Sequence, residues 1–285
     1  MPPSPLISVN MCVYRPHPVY FREAVQSILN QTFEDFELII VEDPSEVDGR
    51  EIISDLLSDS RIRYIHNDQR TGLIAQRNQA LKESRCEWVA ILDADDVAKP
   101  ERLQKQWEFL HANPAITVLG SWIEIIDQNG QLVGLRRYPE CHDAIMRTMR
   151  RYNAIAQPAA VIHGPSVDQI GGYAGQIYVE DYELWCRMLR NGARFANIPQ
   201  ALTRYRIHSS GGSKTTHLRH VLRETIRIKK QYFGTEMDLG DWLRLLMECF
   251  LLLFPRRLVY LLFALMTFRK PDPLNSACPA PFDKS

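Results

Sequence analysis

The residues with the clearest chemical potential are three acids that follow a short apolar segment: Asp93, Asp95 and Asp96. The segment before them, residues 88–92, is short, continuous and apolar, which is typical of a buried parallel strand. Such a strand brings its carboxyl end to the ligand-binding edge of an open α/β sheet. Carboxylates packed this closely repel one another unless a cation neutralises them. Oxygen ligands suit Mg²⁺ or Mn²⁺, ions that often share their coordination with phosphates, so the sequence predicts a metal-bridged phosphate ligand.

Further polar segments fall at predicted strand ends or helix starts, in the order expected for one nucleotide-binding edge. They are residues 8–14, the pair Glu42-Asp43, residues 72–78 and the pair Glu180-Asp181. Each alone has an ordinary structural interpretation: a turn before Pro44, a solvated helix face around Arg77, or acids favoured at a helix N-terminus by the macrodipole. The aspartates at 93–96 also fit a loop that leads to a helix cap. It is the joint arrangement that favours a binding site.

These segments are positioned by elements that alternate between strand and helix in the first half of the chain, which predicts βαβ units. Strands are predicted at residues 6–13, 36–41, 62–65 and 88–92, and helices at 18–30, 51–57, 72–82 and 100–113. After this the rhythm changes, with strands at 116–126, 132–137, 195–198 and 202–206, and helices at 143–152, 180–191 and 216–233. We expect an α/β fold with a Rossmann-like mixed, mainly parallel sheet flanked by helices. The predicted division is a sheet domain at 1–215, a helical appendage at 216–270 and a disordered tail at 271–285.

The helical appendage contains two apolar runs, residues 242–254 and 258–268, separated by Pro255-Arg256-Arg257. Each run is shorter than the roughly 20 residues that span a bilayer. Basic residues flank both runs, so they fit interfacial helices on an anionic leaflet. A helical hairpin packed on the protein's own core and a dimer contact are the alternatives.

Composition narrows the class of protein. The chain has 285 residues, and Lys plus Arg balances Asp plus Glu at 34 each, so no overall basic field indicates nucleic-acid binding. The six cysteines are far apart in sequence, which fits neither a zinc site nor a disulfide framework and favours a reducing compartment. The N-terminal residues lack the pattern of a signal peptide, so we expect a cytoplasmic protein.

From residue 8 to about residue 208 the chain resembles the family 2 glycosyltransferases, which have the GT-A fold. The residues that carry the resemblance are Val9 to Tyr14, Glu42-Asp43, Gly72 with Ala75-Gln76-Arg77-Asn78, the D-x-D element Asp93-Ala94-Asp95, and Glu180-Asp181 followed by Tyr182-Glu183-Leu184-Trp185. In one respect the chain departs from the family pattern. The family often continues the strand-two acid as Asp-Gly-Ser, whereas here Pro44 and Ser45 follow Asp43. The loop that recognises the base is therefore less well defined than the metal site.

The resemblance implies an inverting transfer of a sugar from a nucleotide-diphosphate sugar, commonly a UDP-sugar, to an acceptor hydroxyl. Asp43 would then bond the nucleobase, and Arg77 would approach the nucleotide. Asp93 would hold the ribose or the metal, and Asp95 would bind Mn²⁺ or Mg²⁺. A cation is physically apt because the departing nucleoside diphosphate accumulates negative charge. The other candidate donor-binding residues are Val13, Tyr14, Glu42, Asn78 and Ala94.

A base must also take the proton of the acceptor hydroxyl, and Asp181 is the predicted base, with Glu180 next in line. Their place at a helix N-terminus favours the ionised carboxylate that a base requires. His208 is a further candidate metal ligand, and Lys214, in the Gly-Ser loop after it, is a candidate phosphate contact. Trp185 fits either the core or an acceptor-stacking position, and Gly171-Gly172 fits either a turn or a close approach to a sugar.

The sequence also bears on the class of acceptor and on other activities that the chain could have. A cytosolic enzyme with interfacial helices meets its acceptor at the membrane surface, so we expect a growing surface polysaccharide or a lipid-linked glycan as acceptor and a peripheral location. An NAD-dependent dehydrogenase is excluded because the turn after strand one lacks G-x-G-x-x-G. A metal-dependent phosphate hydrolase and a catalytically silent nucleotide-sugar or glycan-binding module remain as alternatives.

Overall fold

The computed structural model describes residues 5–208 and 217–254, and its centre is a single mixed β-sheet. The strands of the described chain are β1 Ile7–Val13, β2 Phe36–Glu42, β3 Ile62–His66, β4 Trp88–Ile91, β5 Val97–Ala98, β6 Val118–Ile126, β7 Leu132–Arg136, β8 Val161–His163 and β9 Phe195–Arg206. Their order across the sheet is β3-β2-β1-β4-β8-β6-β9-β5, with β7 paired to β6.

The first four strands form the parallel part of the sheet, as the alternating pattern predicts. β1 pairs in parallel with β2 and with β4, and β2 pairs in parallel with β3. Every residue of β2 is buried, which explains the continuous apolar run at residues 38–41. Because these strands share one direction, their carboxyl ends meet at one edge of the sheet.

Beyond β4 the sheet becomes mixed. β8 is antiparallel to both β4 and β6, whereas β6 and β9 are parallel. The short strands β5 and β8 were not predicted, because two or three residues are too few to show a pattern. The two strands predicted at 195–198 and 202–206 are one strand, β9, whose register against β6 shifts between Ser121 and Ile123. Pro199 sits in the exposed part of that strand, and proline cannot donate a ladder hydrogen bond.

Helices cover both faces of the sheet. They are α1 Pro18–Leu29, α2 Gly49–Ile52, α3 Leu73–Glu83, α4 Arg102–Ala112, α5 His142–Met149, α6 Gly164–Gln169, α7 Glu180–Arg190, α8 Leu218–Phe233 and α9 Leu239–Leu251. α2 is shorter than the helix predicted at 51–57. After Ile52 the chain turns, and Asp55 pairs with Arg22 on α1 at 2.5 Å, a tertiary contact that sequence periodicity does not reveal.

Two apolar clusters hold the layers together. One joins α1 and α4 to the sheet through residues such as Phe21, Ile28 and Leu103, all fully buried. The other joins α5, α7 and α8 to the opposite face and includes Trp185 and Ile228. Each face therefore has its own apolar layer, and the carboxyl edge of the parallel strands is left for polar residues. This is the mixed α/β architecture expected, with a helical C-terminal region of which α8 and α9 are described.

Helices α8 and α9 pack together through a smaller cluster that contains Leu222 and Leu245. Within residues 5–208 and 217–254, none of the helices combines the length and the apolar character needed to cross a bilayer. The second predicted apolar run, residues 258–268, and the predicted tail at 271–285 lie outside the described residues.

Candidate active site

The acidic loop after β4 divides its carboxylates between the surface and the interior. Asp93 and Asp95 have side chains that are 36% and 38% exposed, whereas Asp96 is fully buried. Asp96 Oδ1 accepts a 2.8 Å hydrogen bond from the Arg206 backbone N–H. Burial, followed by the charges of Asp95 and Asp93, raises the pKa of Asp96 well above its usual value. Asp93 and Asp95 are thus the two carboxylates of this loop that a ligand could reach from solvent.

His208 lies against this loop, as the sequence predicts for a metal ligand. Its Nε2 is 2.9 Å from Asp95 Oδ2. The imidazole ring lies 5.1 Å from the ring of Tyr20, measured between centroids. Arg206 holds the same region in place, since its Nε donates to the Asp95 carbonyl oxygen at 2.9 Å and its Nη2 to Glu23 at 2.5 Å. The end of β9 and the start of α1 therefore fix the position of Asp95.

The donor set formed by Asp93, Asp95 and His208 fits Mn²⁺ or Mg²⁺ in chemical type. Two carboxylates and one imidazole are ligands that these hard or borderline cations accept. Across the described chain, the group whose possible ligand atoms all lie within 4.8 Å of one another is a different one, Glu42 with Asp48 and His66. The predicted ligands are therefore neighbours, with Asp95 and His208 already in contact, but they do not form a closed cage.

Arg77 connects the acidic loop to the start of α7. Its guanidinium Nη2 lies 3.4 Å from Asp93 Oδ1 and 3.6 Å from Glu180 Oε1, and its side chain is only 8% exposed. Burial by itself would lower the pKa of Arg77, but the charges of Asp93 and Glu180 outweigh it and raise that pKa. The Tyr173 ring lies under the guanidinium, with its centroid 5.6 Å from Cζ. The structure thus places a permanent buried cation between two of the predicted site acids.

Glu180 and Asp181 begin α7 and are both buried, at 4% and 6% exposure. Glu180 faces Arg77, as described above. Asp181 instead accepts a 3.0 Å bond from Asn153 Nδ2 at its Oδ2 and a 2.8 Å bond from the Tyr182 N–H at its Oδ1. Neighbouring acids therefore occupy different surroundings: Glu180 is next to a cation, and Asp181 accepts only neutral donors in these bonds.

Asp43 is buried and organises the loop that leads into α3. Its carboxylate accepts four bonds of 2.7 to 2.9 Å, from the Asn67 amide, the Thr71 hydroxyl and the backbone N–H groups of Thr71 and Gly72. Burial would raise the pKa of Asp43, but these donors together lower it. Asp43 is thus held ionised at the mouth of the site, and its contact with a nucleobase stays a prediction.

Two of the predicted substrate-binding residues, Glu42 and Trp185, are buried within the protein. Glu42 is fully buried, and its carboxylate accepts bonds from the Gly49 N–H at 2.8 Å and the Tyr64 hydroxyl at 2.7 Å. Its side chain points away from that of Asp43, the residue after the end of β2, because successive side chains of an extended chain alternate. Trp185 is also fully buried, edge-on to Phe195 in the core, so its ring has no exposed face on which an acceptor sugar could stack.

Asn78 also has a structural position. Its Nδ2 donates to the Tyr173 carbonyl at 2.9 Å, and its Oδ1 accepts from the Tyr173 N–H at 2.7 Å. This two-way bridge attaches α3 to the Gly171-Gly172 turn and thereby holds Tyr173 beside Arg77. Asn78 thus positions the turn, and its predicted contact with the donor stays a prediction.

The remaining predicted donor-binding residues lie around the same edge. Val13 is buried, and its carbonyl accepts from Gln76 Nε2 at 2.8 Å. Tyr14 is partly exposed beside Arg70, whose Cζ is 4.2 Å from the ring centroid. Ala94 packs against the core beside the acids. Lys214 lies outside the described residues.

Sequence reasoning missed a buried arginine beneath the acidic loop. Arg102, fully buried on α4, donates to the carbonyl oxygens of Ile91 at 2.8 Å and Pro158 at 2.8 Å and to Gln106 Oε1 at 3.0 Å. Burial lowers the pKa of Arg102 to about 9, which still leaves it charged at neutral pH. An arginine among apolar helix positions, shortly after the acids, was the available signal.

Cys12, at the floor of the cleft, is unsuited to act as a nucleophile, because burial raises its pKa to about 12.

Comparisons with known proteins agree with this geometry. Residues 8–167 match the model for glycosyl transferase family 2, and residues 88–269 match that for glycosyl transferase family group 2. The chain is 32% identical over 216 residues to the O-antigen biosynthesis glycosyltransferase WbnJ of Escherichia coli, covering 74% of this chain and 83% of that protein. It is 28% identical to an Escherichia coli UDP-Gal:α-D-GlcNAc-diphosphoundecaprenol β-1,3-galactosyltransferase, covering 80% of this chain and 83% of that one.

A solved structure gives the same fold. The crystal structure of S. aureus TarS residues 1–349 in complex with UDP-GlcNAc superposes with a TM-score of 0.63 at 17% identity, covering 92% of this chain and 87% of that one. At this identity the likeness concerns the fold alone. The acids at the strand ends, the mixed sheet and the extent of the family match lead to one conclusion. The chain belongs to glycosyltransferase family 2 and is a sugar-transferring enzyme with the GT-A fold.

Proposed function

We propose that this protein moves a sugar from a UDP-sugar to a hydroxyl of a glycan or lipid-linked acceptor, with inversion at the anomeric carbon. The observation that carries the proposal is the position of Arg77, within 3.6 Å of both Asp93 and Glu180. It brings the predicted donor-binding loop and the predicted base segment into one cleft. A diphosphate and an acceptor must meet in such a place for transfer to occur.

Asp93, Asp95 and His208 would hold Mn²⁺ or Mg²⁺, which would supply positive charge opposite the leaving diphosphate. Arg77 adds a fixed cation in a partly dehydrated cleft, where it stabilises developing negative charge more strongly than it would in water. Asp43 and Asn78 keep the loop and the turn around this cleft in place.

The proposed base is Asp181. Its carboxylate takes the proton of the acceptor hydroxyl while the hydroxyl oxygen bonds to the anomeric carbon, and the bond from that carbon to the diphosphate oxygen breaks with its electron pair on the diphosphate. One displacement of this kind inverts the configuration. Glu180 is the less suitable base because its carboxylate is already paired with the Arg77 guanidinium at 3.6 Å.

The relatives support the proposed class of acceptor and the proposed donor nucleotide. One relative is named for O-antigen biosynthesis, another for UDP-Gal and a diphosphoundecaprenol-linked acceptor, and TarS was crystallised with UDP-GlcNAc. We infer an enzyme of surface polysaccharide or lipid-linked glycan synthesis that works peripherally on the cytoplasmic face of a membrane. In this proposal residues 1–215 carry the reaction, and residues 216–270 approach the membrane.

The experiment combines calorimetric titration of UDP, with and without Mn²⁺, and release of UDP from a panel of UDP-sugars. Asp181→Asn is expected to lower turnover by roughly 10²- to 10⁴-fold, the usual contribution of a general base, with UDP affinity unchanged. Glu180→Gln is expected to tighten UDP binding, because it removes a carboxylate charge that competes with the diphosphate for Arg77. Metal-independent UDP binding with no turnover of any sugar would identify a silent binding module and reject the proposal. Equal loss of UDP binding in Asp181→Asn would remove the base assignment.

A further inference from the structure

The most exposed side chains of α9 are all apolar. Its exposed large side chains recur every three or four residues, as Leu239, Trp242, Leu243, Leu246, Met247 and Phe250, and Leu253 follows just past the helix end. These residues share one side of the helix, since positions three and four apart are neighbours on its surface. They are between 40% and 77% exposed. We call this side the α9 stripe.

The acids of α9 do not interrupt the α9 stripe. Asp241 and Glu248 are both buried, at 4% and 5% exposure. Asp241 pairs with Arg151 at 2.6 Å, and Glu248 pairs with the buried Lys229 of α8 at 2.7 Å. The charged side of α9 is therefore turned inward and anchored by ion pairs, which holds the apolar side outward. In a soluble protein such an orientation indicates an interaction surface.

Beside the α9 stripe, α8 carries a row of exposed cations. Arg219, Arg223, Arg227 and Lys230 are exposed and recur every three or four residues, so they too share one side of their helix. We call these residues the α8 basic row. Arg219 donates to the Phe254 carbonyl at 2.7 Å, which places the start of the row at the end of α9.

The α8 basic row also borders the contact between the two helices. Leu218, Leu222 and Ile226 pack against α9, and the residue after each is Arg219, Arg223 or Arg227. Consecutive helix residues point about 100° apart, so the basic row lies immediately to one side of the buried row. Of the exposed α8 residues between positions 218 and 233, Gln231 is the one that is not basic.

We propose that the α9 stripe and the α8 basic row together form a docking surface for an anionic lipid bilayer. The apolar side chains enter the headgroup region, and the arginines and lysine lie where lipid phosphates are. Charge favours a lipid bilayer over a second copy of this chain as the partner of this surface. A second copy would bring the two α8 basic rows together, where they repel, or leave them without a partner. An anionic bilayer offers apolar chains to the α9 stripe and phosphates to the α8 basic row. The inference deepens the proposed function, because it names the surface through which the enzyme reaches a membrane-borne acceptor.

The test is cosedimentation of the full-length protein with vesicles of pure phosphatidylcholine and vesicles that also contain phosphatidylglycerol. We expect binding to the anionic vesicles that weakens in 0.5 M salt, since salt screens surface charges over ~3–10 Å. Replacing Arg223, Arg227 and Lys230 with Gln is expected to lower that binding roughly fivefold for each charge removed. Replacing Leu243 and Leu246 with Ser is expected to reduce binding to both kinds of vesicle.

A matched control is Leu132→Ser with Val133→Ser on β7, which removes equally exposed apolar side chains far from α9 in sequence, at 64% and 56% exposure. This variant should bind vesicles like the wild type. The proposal is overturned if the α9 and α8 variants bind like the wild type, or if the wild type does not sediment. It is also overturned if light scattering shows a dimer that only the α9 variant dissociates, since the stripe would then face a second copy. UDP titration of each variant without vesicles reports the proposed function separately, because docking can fail while the nucleotide still binds.

Discussion

The turn before Tyr173 contains two glycines, and it should tolerate alanine better at Gly171 than at Gly172. Gly172 has φ of +72°, and a Cβ built there lies 2.5 Å from Asn78 Oδ1. Gly171 has φ of +87°, but a Cβ there meets nothing within 4 Å. Alanine at either position therefore has the same kind of backbone strain, and only Gly172→Ala adds a clash. The pair forms an internally matched experiment.

The expected losses in the free energy of unfolding follow from these contacts. A left-handed conformation costs a non-glycine residue ~1–2 kcal/mol, so Gly171→Ala should destabilise the protein by that amount. In Gly172→Ala the Asn78 amide must also move, which breaks its two hydrogen bonds with Tyr173, each contributing ~1 kcal/mol. The expected loss is therefore about 3–4 kcal/mol for Gly172→Ala. Because Tyr173 lies under Arg77, we also expect UDP affinity to fall in Gly172→Ala and to stay near the wild-type value in Gly171→Ala.

Urea unfolding of the two variants, each with and without Asn78→Ala, measures the effect as a double-mutant cycle. With Asn78→Ala present the clash is gone, and the two glycine variants should then cost the same. The reasoning is refuted if both glycine variants are equally destabilised in the presence of Asn78, or if Asn78→Ala leaves their difference intact.

Three other contacts give measurable expectations. The pKa of Asp43 is lower in the folded than in the unfolded protein, so its carboxylate stabilises the fold above about pH 4 and loses that contribution as the pH falls through the native pKa. Asp43→Asn should therefore lower the free energy of unfolding in urea by roughly 2 kcal/mol at pH 7. The difference from the wild type should shrink below about pH 4. Arg102→Met should cost about 2–4 kcal/mol by leaving buried acceptors unbonded, whereas the exposed control Lys105→Met should change stability by less than about 1 kcal/mol in the same assay. Lys229→Met should cost about 3–5 kcal/mol by leaving the Glu248 charge buried, and adding Glu248→Leu should recover most of that loss in thermal unfolding.

The sequence predicts the parallel half of the fold well, because each element there is long enough to show a period. β1, β2 and α1 begin and end within one or two residues of their predicted bounds. The strands that pattern analysis missed, β5 and β8, have only two and three residues and form by pairing with strands distant in sequence. Their formation depends on long-range contacts, which a local pattern cannot report.

The candidate site was predictable in its location and less so in the roles of its residues. Each of the acids at 93–96 and at 180–181 has an ordinary structural interpretation by itself, and they could be found because they occur together in the order expected for one nucleotide-binding edge. Glu42, Asn78 and Trp185 lie in the same motifs, yet their polar or aromatic groups are used by the protein itself. The sequence alone does not show which of two neighbouring residues faces the site. In the structure, the alternation of side chains along a strand and their rotation around a helix place one residue in the site and the next in the core.

Asp43 and Asp93 differ in how much of each carboxylate a ligand can reach. Asp43 accepts four bonds of 2.7 to 2.9 Å, so a ligand would have to displace the protein's own donors to use its carboxylate fully. Asp93 is half-exposed, and its 3.4 Å contact with Arg77 is longer than the 2.7–2.9 Å of a strong charge-assisted bond. Both are aspartates that follow parallel strands, but Asp43 is 1% exposed whereas the Asp93 side chain is 36% exposed. A ligand can therefore reach the Asp93 carboxylate more easily than that of Asp43, and the contact of either residue with the donor stays a prediction.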